Sequence, residues 1–263
     1  MLDLAQSATA ILETPDPAEK AGKARMLAAA WRSGGARFVA PGLPPARPAR
    51  PPRPELLLPR DMPRRKAGGS IEKRIALLHA LAHIELNAID LAWDMVARFG
   101  SAELPRAFFD DWIVVGDEEA RHFAMLSQRL VDLGAAYGDL PAHDGLWQAA
   151  EETAHDLLAR LAIVPLVLEA RGLDVTPKMI ADLERFGDTE SAAILKTIYR
   201  DEIGHVAAGM RWFDHVARER ALDPQDAWRS LLHRHFKGVL KPPFNRAGRD
   251  AARMPHEFYG GIS

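Results

Sequence analysis

Four long stretches of this sequence each put a glutamate into the stripe of apolar residues that a helix has to bury. That arrangement limits the fold more than any other feature. Leu78, Leu81 and Ala82 lead through Glu85 to Ile89 and Ala92. Trp112 and Val115 lead to Glu119 and His122, then Leu126. Leu158, Leu161 and Ala162 lead to Glu169, and Leu195 and Ile198 lead to Glu202 and His205. Spacings of three and four place each set on one helical face. Two stretches carry the pattern Glu-x-x-His, as Glu119-Ala-Arg-His122 and Glu202-Ile-Gly-His205. A spacing of three stacks carboxylate and imidazole one turn apart, so that both reach the same ion.

Register supports a common height. Glu85 lies about 14 residues before its helix ends and Glu119 about 14 residues after the next begins, which at about 1.5 Å per residue brings both to one level of a hairpin. The two halves match: 119 − 85 = 34 and 202 − 169 = 33. Four ionised glutamates in an apolar core are very costly without compensation. Two divalent cations would neutralise them. The donors are nitrogen and oxygen only, because the chain has no cysteine. That excludes disulfides, thiolate zinc sites and iron–sulfur clusters. Glutamate and histidine together suit iron or manganese.

Around these helices the chain divides into four parts. Residues 1–36 form a helical extension with a break at Pro15-Asp16-Pro17. Residues 37–69 are a Pro/Arg-rich strap: nine prolines fall between Pro41 and Pro63, so neither helix nor central strand fits there. Residues 70–220 hold the four long helices, with Ser70 as the first N-cap and 135–144 as the crossover between the halves. The third helix is expected over Gly145–Arg171, kinked at Pro165 and ended by Gly172, with a short helix starting at Thr176-Pro177. Residues 221–263 form a C-terminal helix and a polar tail. Strand-like alternation is missing, so the class is all-α.

At these residues the chain resembles the ferritin-like superfamily. It is most similar to a bacterial branch catalogued as domain of unknown function 455. The matching segments are HALAHIELNAIDLAWD (79–94), the stretch around DEEARH (117–122), LEARGLDVTPKMI (168–180) and RDEIGHVAAGMRWF (200–213), with KPPFNRAGRDAARMP (241–255) in the tail. The resemblance implies a four-helix bundle with a long crossover and a non-haem centre of two iron ions, or alternatively two manganese ions. Its ligands would be Glu85, Glu119, His122, Glu169, Glu202 and His205. Metal-bound histidines usually donate their second ring N–H to a carboxylate, so Asp201 is expected to serve His122 and Glu118 to serve His205. Tyr199, one turn before Glu202, is expected to hydrogen-bond a ligand or carry a redox role.

The resemblance implies oxygen-activating chemistry on an organic substrate, as an oxidase or hydroxylase. The alternatives are iron or peroxide chemistry (ferroxidase or manganese-catalase-like), a hydroxylase of modified transfer RNA, and a non-enzymatic binding module with a structural metal. Small-molecule substrate and dioxygen are the expected partners, with a homodimer as the assembly. Nucleic acid is disfavoured: segment 37–66 carries eight basic residues against two acids, and Arg234, Lys237, Lys241, Arg246, Arg249 and Arg253 follow in the tail, but overall net charge is only −2. Arginines in such a strap more commonly bridge to acids of the core beneath. The N-terminus lacks the features of a secretory leader, and no membrane span is expected. A cytoplasmic location is the expectation.

Overall fold

The computed structural model describes residues 1–63 and 69–261, and it is predominantly helical. Arg64, Arg65 and Lys66 of the basic strap, and Gly68 before the first long helix, lie outside the described residues. The chain packs as two units that divide after Trp147.

The first unit is built on two long helices, α3 (Ile71–Phe99) and α4 (Arg106–Asp132), joined by a short turn and packed along each other. Two N-terminal helices cover them: α1 (Leu4–Leu12) lies on α3 and α2 (Pro17–Arg32) on α4. Asp3 and Asp16 cap α1 and α2, and Pro17 occupies the first turn of α2, so the expected break falls where proline forces it. A two-residue parallel pairing joins β1 (Leu2–Asp3) to β2 (Ala36–Arg37). Ser70 takes the N-cap position of α3 but makes no side-chain capping bond, and Glu72 takes its hydroxyl instead. Trp93, Trp112 and Phe108 fill the interior. Gly116 is required there, since a Cβ would lie 2.7 Å from Trp93 Nε1. By composition α3 would also pass as a membrane span, but most of it is buried inside the protein.

The strap runs over this unit largely without regular structure and is held through its backbone. Ala49 N–H donates to Leu12 O at 2.8 Å, and Gly42 N–H to Ala97 O at 3.2 Å. Trp147 Nε1 donates to Ala46 O at 3.1 Å, and Leu56 bridges to Ala142 in the crossover. Arg47 pairs with Asp144. A proline-rich segment has few N–H groups, so the protein meets its carbonyls from outside.

The second unit corrects the expected third helix. Helix α5 (Gly145–Glu152) stops, and buried Arg160 fills the turn by donating to Thr153 Oγ1 at 3.0 Å and Ala150 O at 2.7 Å. Helix α6 (Leu157–Ile163) then passes into a π-helical stretch, Val164–Glu169, rather than a simple kink. Gly172 does not end the helix: α7 runs over Ala170–Arg185 with Pro177 inside it. An internal proline removes the N–H that would bond the carbonyl four residues back. Here that carbonyl belongs to Leu173, and Asn245 Nδ2 donates to it at 3.0 Å. Trp228 Nε1 donates to Ala162 O at 3.0 Å beside the π stretch. The donors come from the C-terminal region, which local sequence cannot show.

Helix α8 (Thr189–Glu219) packs on the π stretch and α7, and α9 (Pro224–His235) covers α6. The tail is not simply polar. It forms α10 (Arg246–Ala251) and α11 (His256–Tyr259), with Met254, Phe258 and Tyr259 buried. Arg249 organises it: its guanidinium grips Asp174 of α7 through two bonds of 2.9 and 2.7 Å and lies 4.5 Å from the Tyr259 ring.

Two consequences are measurable. Asn245→Ala is expected to destabilise the protein by about 2 kcal/mol, through the lost cap and hydrogen bonds. Combined with Pro177→Ala, which restores a backbone donor for Leu173, the loss should shrink by about 1 kcal/mol in a denaturation double-mutant cycle. Additive losses would show that Asn245 does not replace the missing N–H. The second concerns Asp156, which caps α6 and pairs with Arg220 at 2.6 Å. Partial burial favours its neutral form, but Arg220 and the backbone N–H bonds prevail and hold its carboxyl below the usual range. A depressed carboxylate stabilises fully above the unfolded value of about 3.9 and less as pH falls through the folded one. The stability gap between the protein and Asp156→Asn should therefore be flat above about pH 5 and close below about pH 4.

Candidate metal centre

In the first unit the structure brings Glu85, Glu119 and His122 together. Glu85 comes from α3, and Glu119 and His122 are one turn apart on α4. His122 Nδ1 lies 3.2 Å from Glu85 Oε2 and 3.3 Å from Glu119 Oε2. One ligand atom of each residue lies within 4.8 Å of the others. Exposure is 3% for Glu85 and 0% for Glu119 and His122. Burial and the neighbouring Glu119 charge push the Glu85 carboxyl well above its ordinary range. Burial alone would discharge His122, but bonding and attraction from Glu119 and Glu85 outweigh it and hold the ring up at about 11. Two carboxylates and one imidazole thus balance each other through protons. A divalent cation supplies the same positive charge and uses the same atoms as ligands, so the donor set fits a metal ion.

In the second unit Glu202 and His205 share a face of α8, with His205 Nδ1 3.7 Å from Glu202 Oε1, an ion-pair distance too long for a hydrogen bond. His205 is buried and Glu202 nearly so. Glu169 is the last residue of the π stretch, which packs on α8. Gly209, one turn beyond His205, lets this stretch close in: a Cβ there would meet Pro165 Cβ at 2.4 Å. Close approach of the π stretch to α8 is what this glycine permits.

The outer residues have local partners as well. Tyr199 accepts a hydrogen bond from Asn245 at 2.8 Å, so its hydroxyl turns toward the tail helix. Glu118 faces Arg121, and Asp201 faces Arg200 at 3.4 Å. Several basic residues considered for phosphate contact are engaged with acids: Arg47 with Asp144, Arg50 with Asp90, Lys237 with Glu152, and Arg249 with Asp174.

Sequence reasoning missed a second polar stripe on α3. His79, His83, Asn87, Asp90 and Asp94 recur at spacings of four, four, three and four, and all five are buried. The stripe is visible in the sequence, about 200° around the helix from Glu85 when counted from Asn87. Asp90 takes Lys20 Nζ from α2 at 2.5 Å and Arg50 from the strap, while Arg50 also donates to Asn87 at 2.6 Å. Burial and the charge of Arg50 drive the His83 ring down to about 4, so it is neutral. Neutral His83 donates through Nε2 to His143 O at 3.1 Å and accepts the Tyr137 hydroxyl at Nδ1, 2.9 Å away. This stripe fastens α2, the strap and the crossover to the helix that carries Glu85.

The fold and the site thus define an all-helical protein whose buried carboxylate–imidazole cluster is compatible with a bound metal ion. The chain belongs to a family described as "Protein of unknown function (DUF455)", whose model matches residues 13–260. It is also 44% identical over 197 residues to an uncharacterized protein of Haemophilus influenzae, covering 72% of this chain and 68% of that one. No solved structure matches the chain.

Asp90→Asn is expected to destabilise the protein by about 3 kcal/mol or more, because Lys20 and Arg50 then face a neutral group in a dry interior. Chemical denaturation measures this, and a change under about 1 kcal/mol would show that the stripe does not anchor the unit.

Proposed function

We propose that the chain is a ferritin-like di-metal carboxylate protein. Glu85, Glu119 and His122 of the first unit and Glu169, Glu202 and His205 of the second would together hold two iron or two manganese ions. The function proposed is an oxygen-activating oxidase or hydroxylase of an organic substrate. The observation that carries it is the Glu85–Glu119–His122 cluster: two carboxylates and an imidazole, almost fully buried, sharing one spot. Glu202 and His205 repeat the same grouping on α8. Matching separations of 34 and 33 residues support reading them as halves of one four-helix plan. Such a plan is known for di-metal carboxylate bundles, with one Glu from each of two helices and Glu-x-x-His from each of the others.

Two iron(II) ions bound there would supply electrons for the reduction of dioxygen. The chain's own residues would fix the ligands and keep bulk water away. Burial of Glu85, Glu119 and His122 does the second. The polar stripe on α3 and the Gly209–Pro165 contact do the first, by fixing the helices that carry Glu85 and Glu169. Asp201 and Glu118 remain the proposed partners for the outer nitrogens of the histidines.

The test is metal content on protein purified without chelator. About two iron or manganese ions per chain are expected, and Glu119→Ala/Glu202→Ala should lose them while keeping its helical circular dichroism. Iron-loaded protein in the ferrous state should then consume oxygen. No metal after anaerobic reconstitution with iron or manganese would overturn the proposal. Metal retained by the double variant would show that these glutamates are not ligands.

A further inference from the structure

A second grouping of metal-ligating residues lies in the C-terminal unit and shares no residue with the candidate metal centre. His155 follows α5 and His235 is the last residue of α9, and their ring centroids stand 5.4 Å apart at an interplanar angle of 45°. An imidazole nitrogen binds zinc at about 2.0–2.1 Å, which puts the ring centroid about 3.2 Å from the ion. Two such rings at a tetrahedral angle have centroids about 5.2 Å apart. The observed pair is within a few tenths of an ångström of that spacing. His235 Nε2 is buried and has no hydrogen-bond partner, an uncommon state for a ring nitrogen. Burial and the neighbouring His155 favour the neutral form of His235, which is the form that binds metals.

A carboxylate is at hand. Glu152 comes three residues before His155, repeating the Glu-x-x-His spacing, and its charge reaches His235. It now holds Lys237 Nζ at 2.7 Å, but the lysine is on the open surface and free to swing away. Asp156 also faces His235, yet both its oxygens are committed to Arg220.

We infer that His155, His235 and Glu152 form a surface site for a divalent transition-metal ion of the zinc class, with water completing the coordination. Two imidazoles and one carboxylate make a donor set richer in nitrogen than the proposed buried centre. By ligand softness and the order of divalent affinities it selects zinc over manganese. The inference does not depend on the proposed function, because none of its residues belongs to the other cluster.

The test is a zinc titration of the untagged full chain carrying carbon-13-labelled histidine, followed through the ring signals of His155 and His235. The signals of His122 and His205 report the buried clusters separately. Both surface rings should shift together and saturate at one ion. His155→Asn should raise the half-saturation point for the His235 shift about tenfold or more. Lys237→Met, which releases Glu152, should lower it, and manganese should shift neither ring at the zinc concentration that saturates them. Rings unmoved at about 1 mM zinc would overturn the inference. So would an unchanged His235 curve in His155→Asn, or a Lys237→Met curve that does not move to lower zinc.

Discussion

Everything in the first unit is arranged around the cost of burying charge on α3. A helix of 29 residues that buries most of its surface would ordinarily be apolar all round. This one buries Glu85 on one side and the stripe from His79 to Asp94 on the other. An isolated buried carboxylate is too costly to persist as an ion, so each needs a partner or a proton. Asp90 has Lys20 and Arg50, Asp94 has Arg98, and Glu85 has Glu119 and His122. The partners differ in kind. Those of Asp90 and Asp94 are permanent cations from the same chain. The partner of Glu85 is an imidazole shared with a second carboxylate, a balance that protons can supply and a metal ion can replace.

The same logic explains why the N-terminal helices and the strap belong to the structure. Lys20 reaches Asp90 only if α2 is docked, and Arg50 only if the strap crosses α3. Folding of these segments is thereby tied to neutralisation of a core charge. The strap's prolines leave its carbonyls short of partners, and Lys20, Arg98 and Trp147 each donate to one of them. One lysine therefore satisfies both a buried carboxylate and a strap carbonyl. That is why residues 37–63 of this proline-rich segment lie against the surface they cross rather than behaving as a flexible linker.

The helical class, the start of α3 after Ser70, and the common level of Glu85, Glu119 and His122 were legible from spacing. Long periodic helices with a polar residue on the apolar face state their own geometry. Legibility failed where a distant residue supplies what the local chain lacks. Pro177 stands as a helix start in sequence and as a helix interior in the fold, because Asn245, 68 positions later (245 − 177), meets the carbonyl of Leu173. The stretch after Pro165 widens to a π turn with Trp228 at Ala162 and Gly209 against the proline ring. The tail is basic in composition, yet its central arginine is buried against Asp174. Composition counts charges and cannot tell which are already neutralised.

That last point bears on what the basic residues do. A nucleic-acid surface needs cations exposed and unspent, since affinity comes from releasing counterions of the phosphates. Arg47, Arg50, Lys237 and Arg249 spend theirs on Asp144, Asp90, Glu152 and Asp174, in each case joining a loop or tail to a helix of its own unit or to the turn beside one. Arg249 is also buried, 5.1 Å from the Phe244 ring and 4.5 Å from the Tyr259 ring. Arg50 and Arg249 therefore act as internal counterions of the buried acids Asp90 and Asp174. Beside such fixed pairs, Glu85 and Glu119 share the His122 imidazole, a partner whose charge depends on a proton.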